Sequence, residues 1–183
     1  MTKRIRLLAV VAITVATAVA GGSAAMADSD GDSRGGVIFL RERLGGLAEN
    51  LSVSTTGTGT FRAQVNERTQ VITYTLSYAN LEGGAVTQAH IHFGQKWQNG
   101  GVSVFLCSNL GNGPEGTQAC PAAPATITGT IVPSNVIGPG PQGIAAGEFA
   151  ELIAALRAGA TYVNVHSTVY MGGEIRAQLE HHH

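Results

Sequence analysis

The segment Phe61–Tyr78, FRAQVNERTQVITYTLSY, alternates apolar and polar residues on both sides of a polar centre. Phe61, Ala63 and Val65 share one face of the first arm, and Ile72, Tyr74, Leu76 and Tyr78 share one face of the second. Successive side chains of a strand point to opposite sides, so this period of two predicts a half-buried antiparallel hairpin. Its arms are Phe61–Asn66 and Thr69–Tyr78, turning at Glu67-Arg68. Upstream lie a short apolar run, Val37–Leu40, and a small, β-prone stretch, Ser52–Thr60. Downstream, further strands are predicted at Thr87–Phe93, Val102–Cys107, Thr126–Val132, Thr161–Ser167 and Gly173–Leu179. Only one segment has helical periodicity. Between Gly147 and Gly159, residues Phe149, Leu152, Ile153 and Leu156 fall at i, i+3, i+4 and i+7, and Gly159 is placed to end the helix. Seven or eight short strands with one late helix predict an all-β domain: a β-sandwich or barrel with a single short helical insertion.

The chain has 183 residues. Basic Lys3, Arg4 and Arg6, the apolar run Leu7–Ala20 and the small-x-small site Ala25-Met26-Ala27 together read as a signal peptide over 1–27. Cleavage there starts the mature chain at Asp28, in a secreted or periplasmic protein. Residues 28–36 (DSDGDSRGG) read as a flexible leader, 37–179 as the domain, and 180–183 as a purification-tag remnant. Between 28 and 179 there are eight Lys and Arg against eleven Asp and Glu, a net charge near −3. Such a balance carries no general footprint for nucleic acid, and no membrane span is expected in the mature chain.

Cys107 and Cys120 flank SNLGNGPEGTQA, too rich in Gly, Asn and Pro for a regular element. In an exported chain this spacing predicts a disulfide; the alternative, a pair of soft metal ligands, lacks a CxxC spacing.

Chemistry points to histidine. Outside the terminal run there are three, His90, His92 and His166. In Ala89-His90-Ile91-His92-Phe93 the two histidines stand on one face of a strand, opposite the core residues Ala89, Ile91 and Phe93. In Tyr162-Val163-Asn164-Val165-His166, Val163 and Val165 face the core, while Tyr162, Asn164 and His166 face outward. Should the two strands be neighbours, three imidazoles converge into a site for copper, with zinc as second choice. Met171, soon after His166, is a candidate soft axial ligand or a gap-filler. The alternative for the histidines is structural: they hydrogen-bond to loop carbonyls and pin a crossover. Glu174 and Arg176 share a face of the last strand, as an exposed pair. Trp97 lies in the polar loop after the His-x-His strand, to cap the site or meet a partner.

The run Ala89–Gly94, followed by Asn99-Gly100-Gly101-Val102, resembles the core motif of the CHRD domain, first recognised in chordin and found in bacterial secreted proteins. The helix 148–159, Tyr162–Ser167 and Gly172–Leu179 resemble that family's closing signature. The resemblance spans about Val37 to Leu179. It implies an immunoglobulin-like Greek-key sandwich with a distant similarity to Cu/Zn superoxide dismutase, in which a His-x-His strand and a later strand histidine bind copper. His90, His92 and His166 correspond in pattern. Dismutases need further histidines and an Asp for their second metal, and this chain has no fourth internal histidine, so a mononuclear site is what remains. Two functions follow from the resemblance and the residues: a copper-binding protein in copper handling or redox chemistry (if an enzyme, a copper-dependent oxidoreductase), or a non-catalytic extracellular binding or adhesion module.

Overall fold

A computed structural model of the chain describes residues 36–180. The expected signal peptide, residues 28–35 of the leader and the terminal histidines 181–183 lie outside the described residues. Eight strands make one antiparallel sheet: β1 (Val37–Gly45), β2 (Thr58–Asn66), β3 (Val71–Ala79), β4 (Val86–Phe93), β5 (Gly101–Ser108), β6 (Ala125–Ile131), β7 (Thr161–Ser167) and β8 (Ile175–Leu179). Their spatial order is β5-β4-β7-β8-β1-β2-β3-β6. Strands β1 and β8 meet through a single pair, Gly45 opposite Arg176. The sheet therefore bends there into two four-stranded halves whose inner faces share one core, a nearly closed barrel with one helix.

The β2–β3 hairpin has the register that the alternation demands. Phe61 lies opposite Leu76, Ala63 opposite Tyr74 and Val65 opposite Ile72, all buried. Its turn takes four residues, Glu67–Gln70, rather than two; Gln70 adopts a left-handed conformation (φ 54°) and its N–H donates to the Glu67 carbonyl. Strand β1 runs well past the apolar Val37–Leu40, because Ile38, Leu40 and Leu44 keep one face in the core while Arg41 and Arg43 project outward. Of Ser52–Thr60, only Thr58–Thr60 are in a strand.

The outer members of the sheet order, β5 and β6, form no ladder with each other. The link between them closes that seam instead. Cys107 and Cys120 are disulfide-bonded, with Cα atoms 5.1 Å apart. The Gln118 amide reaches Leu106 O on β5 (3.0 Å) and Thr128 O on β6 (3.2 Å), and Tyr74 Oη also donates to Leu106 O. Backbone groups that an open edge would expose are thus covered.

Helix α1 (Phe149–Arg157) lies between β6 and β7 and buries Phe149, Leu152, Ile153, Ala155 and Leu156 in the core. It ends as its sequence anticipates. Gly159 turns left-handed (φ 62°), its N–H donates to Leu156 O, and the Ala160 N–H donates to Ala155 O, which satisfies the last carbonyls. On the wet side, Arg157 Nε reaches Glu67 Oε1 at 2.6 Å and ties the helix to the β2–β3 turn. Among the described residues no helix is long and apolar enough to cross a membrane.

Two outcomes are expected in chemical denaturation. Leu152→Ala, truncating a fully buried side chain, costs about 2–5 kcal/mol, whereas Arg157→Ala, losing a surface ion pair, costs no more than about 1 kcal/mol. Equal costs would show that the buried face of α1 does not anchor it. Reducing the disulfide should cost about 3 kcal/mol from the lost closure of a short loop, and unfolded, unreduced protein should take up no thiol label.

Candidate metal centre

Pairing of β4 with β7 brings the three histidines together. In that ladder Gln88 lies opposite His166, His90 opposite Asn164, and His92 opposite Tyr162. Ala89, Ile91, Val163 and Val165 face the core, so His90, His92, Tyr162, Asn164 and His166 line the other side. One ring nitrogen from each histidine lies within 4.8 Å of the other two. That face is not open to solvent: His90, His92 and His166 are 2, 7 and 5 % exposed. Loop 94–100, Phe105 and the Met171 backbone close over it.

Each imidazole is oriented by its neighbours. His92 Nδ1 lies 2.9 Å from Gly100 O, and His166 Nδ1 lies 2.9 Å from Met171 O. A carbonyl only accepts, so both Nδ1 atoms carry the proton and both Nε2 atoms keep a lone pair. His90 Nδ1 sits 3.2 Å from His166 Nε2. Two donors on one tetrahedral ion with bonds of about 2.0–2.1 Å stand roughly 3.3 Å apart, so this pair already has the spacing of ligands. The widest pair, at no more than 4.8 Å, needs to close by at most about 1.5 Å to reach that spacing. His90 Nε2 and His92 Nε2 are buried with no hydrogen-bond partner. Three neutral imidazoles without a carboxylate suit a borderline-soft ion, not calcium or magnesium.

The strand pairing also aims the rings. Between β4 and β5 the register shifts next to each histidine, at Ala89/His90 and at Ile91/His92, so β5 bulges and sets Phe105 edge-on to His90 (centroids 4.4 Å apart). Gly100 has to be glycine, since a Cβ there would fall on Phe93 O and push away the carbonyl that His92 uses.

Beside the triad lies a second buried polar layer. The Tyr162 ring stacks on His92 (4.7 Å, 2° between planes), the Arg176 guanidinium lies 3.4 Å from the Tyr162 centroid, and Tyr162 Oη accepts from Gly100 N. Arg176 is 1 % exposed and donates to Gln95 O; Glu49, 2 % exposed, has its pKa raised by burial, and Arg176 and Asn164 lie close enough to oppose part of that rise. The expectation of an exposed Glu174–Arg176 pair is corrected. Both are buried, and Glu174 turns away to accept from Thr55 Oγ1 and the Glu82 and Gly83 amides, because the chain enters β8 only at Ile175. Glu49 was not legible as a site residue: in Leu47-Ala48-Glu49-Asn50-Leu51 nothing local separates it from a surface carboxylate. Met171 places its carbonyl, not its sulfur, against the triad, and its side chain is 77 % exposed. Trp97 is 56 % exposed, with Lys96 Nζ 5.6 Å from its ring centroid.

A family model described as the CHRD domain matches residues 42–179, three quarters of the chain. The chain belongs to the CHRD family. No curated protein and no solved structure matches it, so the likeness to superoxide dismutase rests on the histidine pattern alone. In this CHRD domain the family's closing segment does double duty, since β7 and β8 supply His166, Asn164, Tyr162 and Arg176 as well as core residues.

Burial holds His92 down to about 4 and holds His90 and His166 below the ordinary histidine value, with repulsion from the other two rings adding for His90. In the metal-free protein the unfolded chain therefore takes up more protons, and stability falls as pH drops from about 6.5 towards 4. Burial raises Glu49 to about 7, against the pull of Arg176 and Asn164. Its contribution has the opposite sign, being full below about 4.5 and lost as pH rises through 7. Urea unfolding of the chelator-treated protein between pH 4 and 7 should show stability rising with pH. Glu49→Gln steepens that rise and His92→Gln makes it shallower; identical slopes would contradict the assignment.

Proposed function

We propose that this CHRD domain is an extracellular module that binds one transition-metal ion, copper before zinc, through His90 Nδ1, His92 Nε2 and His166 Nε2. The reading is carried by the tautomers: two carbonyls commit the Nδ1 protons of His92 and His166, which leaves their Nε2 lone pairs for a shared, desolvated point. Hydrogen bonding of a ligand's second nitrogen to a carbonyl is how proteins orient metal-binding histidines. A bound copper ion would supply one-electron redox chemistry; buried away from solvent, it would serve equally for copper retention. The chain's own part is to hold three neutral donors, with His90 moving its proton from Nδ1 to Nε2, and to exclude water by loop 94–100. Met171 Sγ, after rotation of an exposed side chain, is a further donor within this proposal. Export fits the family and the disulfide; intact mass after expression in an exporting host should give an N-terminus at Asp28.

A second reading is favoured by the 3.2 Å contact between His90 Nδ1 and His166 Nε2, which joins β4 to β7 without any metal. The histidines then act as pins of a non-catalytic binding or adhesion module. Copper titration of a chain lacking 181–183 separates the two. Each of His90→Ala, His92→Ala and His166→Ala should weaken copper binding at least about tenfold while the fold persists, and wild-type affinity should hold through about pH 6.5 and fall only towards about pH 4, because burial keeps the imidazoles neutral well below their ordinary value. Unchanged binding in all three variants would end the metal reading, and unfolding of the metal-free variants would favour the pins.

A further inference from the structure

The outer face of the other half-sheet carries a second feature, unrelated to histidine. Arg41 and Arg62 stand directly opposite each other in the β1–β2 ladder, and Arg43 follows Arg41 on the same face. All three are exposed, and among the described residues none has a carboxylate within ion-pair distance. Like charges directly opposite on a sheet destabilise it unless something neutralises them. The outward positions of β1, β2, β3 and β6 contain no Asp or Glu, although the chain as a whole has a net charge of −1. The basic charge is thus concentrated on one face of a mildly acidic protein.

That face is also shaped. A groove of about 880 Å³ runs past Arg41, Arg43 and Arg62 towards Pro124 and Thr126, with Glu42 the one carboxylate in its lining, and a second of about 380 Å³ continues from Arg41 and Arg62 towards Phe39. The two adjoin at Arg41 and Arg62, and an extended occupant lying along the face would meet both. Rows of hydroxyls line it, with Thr58 and Thr60 on β2, and Ser77 and Thr126 paired at 2.8 Å. At its far end Phe39, 66 % exposed, offers an apolar plate.

We propose that this grooved face binds an acidic polysaccharide whose sugars carry carboxylates. The guanidinium forks of Arg41, Arg43 and Arg62 each take a carboxylate by paired N–H donors, the geometry for which arginine is suited. The threonine and serine hydroxyls exchange hydrogen bonds with sugar hydroxyls, and Phe39 receives the C–H face of a ring. Nucleic acid fits less well, since three arginines on a net-negative chain neutralise few phosphates and one aromatic makes no base-stacking row. This inference does not use the metal site, so either stands or falls without the other.

Binding of the full, disulfide-bonded chain to polygalacturonate, neutral dextran and duplex DNA, followed by calorimetry at about 0.15 M salt, tests it. Polygalacturonate should bind, dextran should not, and DNA should bind at least about tenfold more weakly. The triple variant Arg41→Gln, Arg43→Gln, Arg62→Gln should lose at least about tenfold in affinity, whereas Arg157→Gln, outside the grooves, should bind as the parent does. The triple variant should also melt no lower than the parent, because the facing guanidinium pair is gone, and this distinguishes lost binding from lost fold. Absence of polygalacturonate binding, equal binding of DNA or dextran, or undiminished binding by the triple variant would each overturn the proposal.

Discussion

The antiparallel register of β4 on β7 is the constraint from which the site follows. With His90 opposite Asn164 and His92 opposite Tyr162, every core residue of both strands points one way and every candidate ligand the other. A slip of one residue would exchange the two sets, driving histidines into the core and Ile91 and Val163 into the polar layer. Packing of Ala89, Ile91, Val163 and Val165 therefore fixes the geometry of the imidazoles without any of those residues touching them. The most apolar part of the strands aims the most polar.

Burying that polar layer is costly, and the surrounding groups show how it is tolerated. Unpartnered charges and amides inside a protein each cost a few kcal/mol. Here the histidines stay neutral, the Arg176 guanidinium rests on the face of the Tyr162 ring, and Glu49, raised to about 7, carries its full charge only above neutral pH. Gly173, in a left-handed conformation (φ 127°), lets Glu49 and Asn164 approach where any Cβ would collide with both. Even so, Glu49 Oε1, Asn164 Oδ1, Arg176 Nη1 and Gln178 Oε1 remain without partners, in one region beside the triad.

Sequence periodicity made the hairpin Phe61–Tyr78, the helix 149–157 and the shared face of His90 and His92 legible, because each depends on near neighbours in the chain. The adjacency of His166 was legible only as a condition, since a ladder between residues some 75 apart leaves no local trace. The bulges of β5 against β4, the closure over the triad and the burial of Glu49, Glu174 and Arg176 were not legible for the same reason. Burial of a charge is decided by what crosses above it, here loop 94–100 and the return of the chain through Gly46–Glu49. The length of β1 was not legible for a different reason: the apolar run stops at Leu40, and Arg41-Glu42-Arg43 masks an alternation that continues to Leu44.

The two halves of the sheet have separate outward faces because they are joined so narrowly. Gly45 opposite Arg176 is their one point of pairing, and the far seam is held by a disulfide and by side-chain hydrogen bonds from Gln118 and Tyr74, not by a ladder. A continuous, fully paired barrel would transmit a shift in one strand to its neighbours throughout. Here each half is braced mainly by its own ladders and by the common core between them. The histidine face can thus be covered by loops and the arginine face left bare without either arrangement constraining the other. That separation leaves a small CHRD domain room for two distinct faces, a buried histidine cluster under loops and a basic surface on open strands.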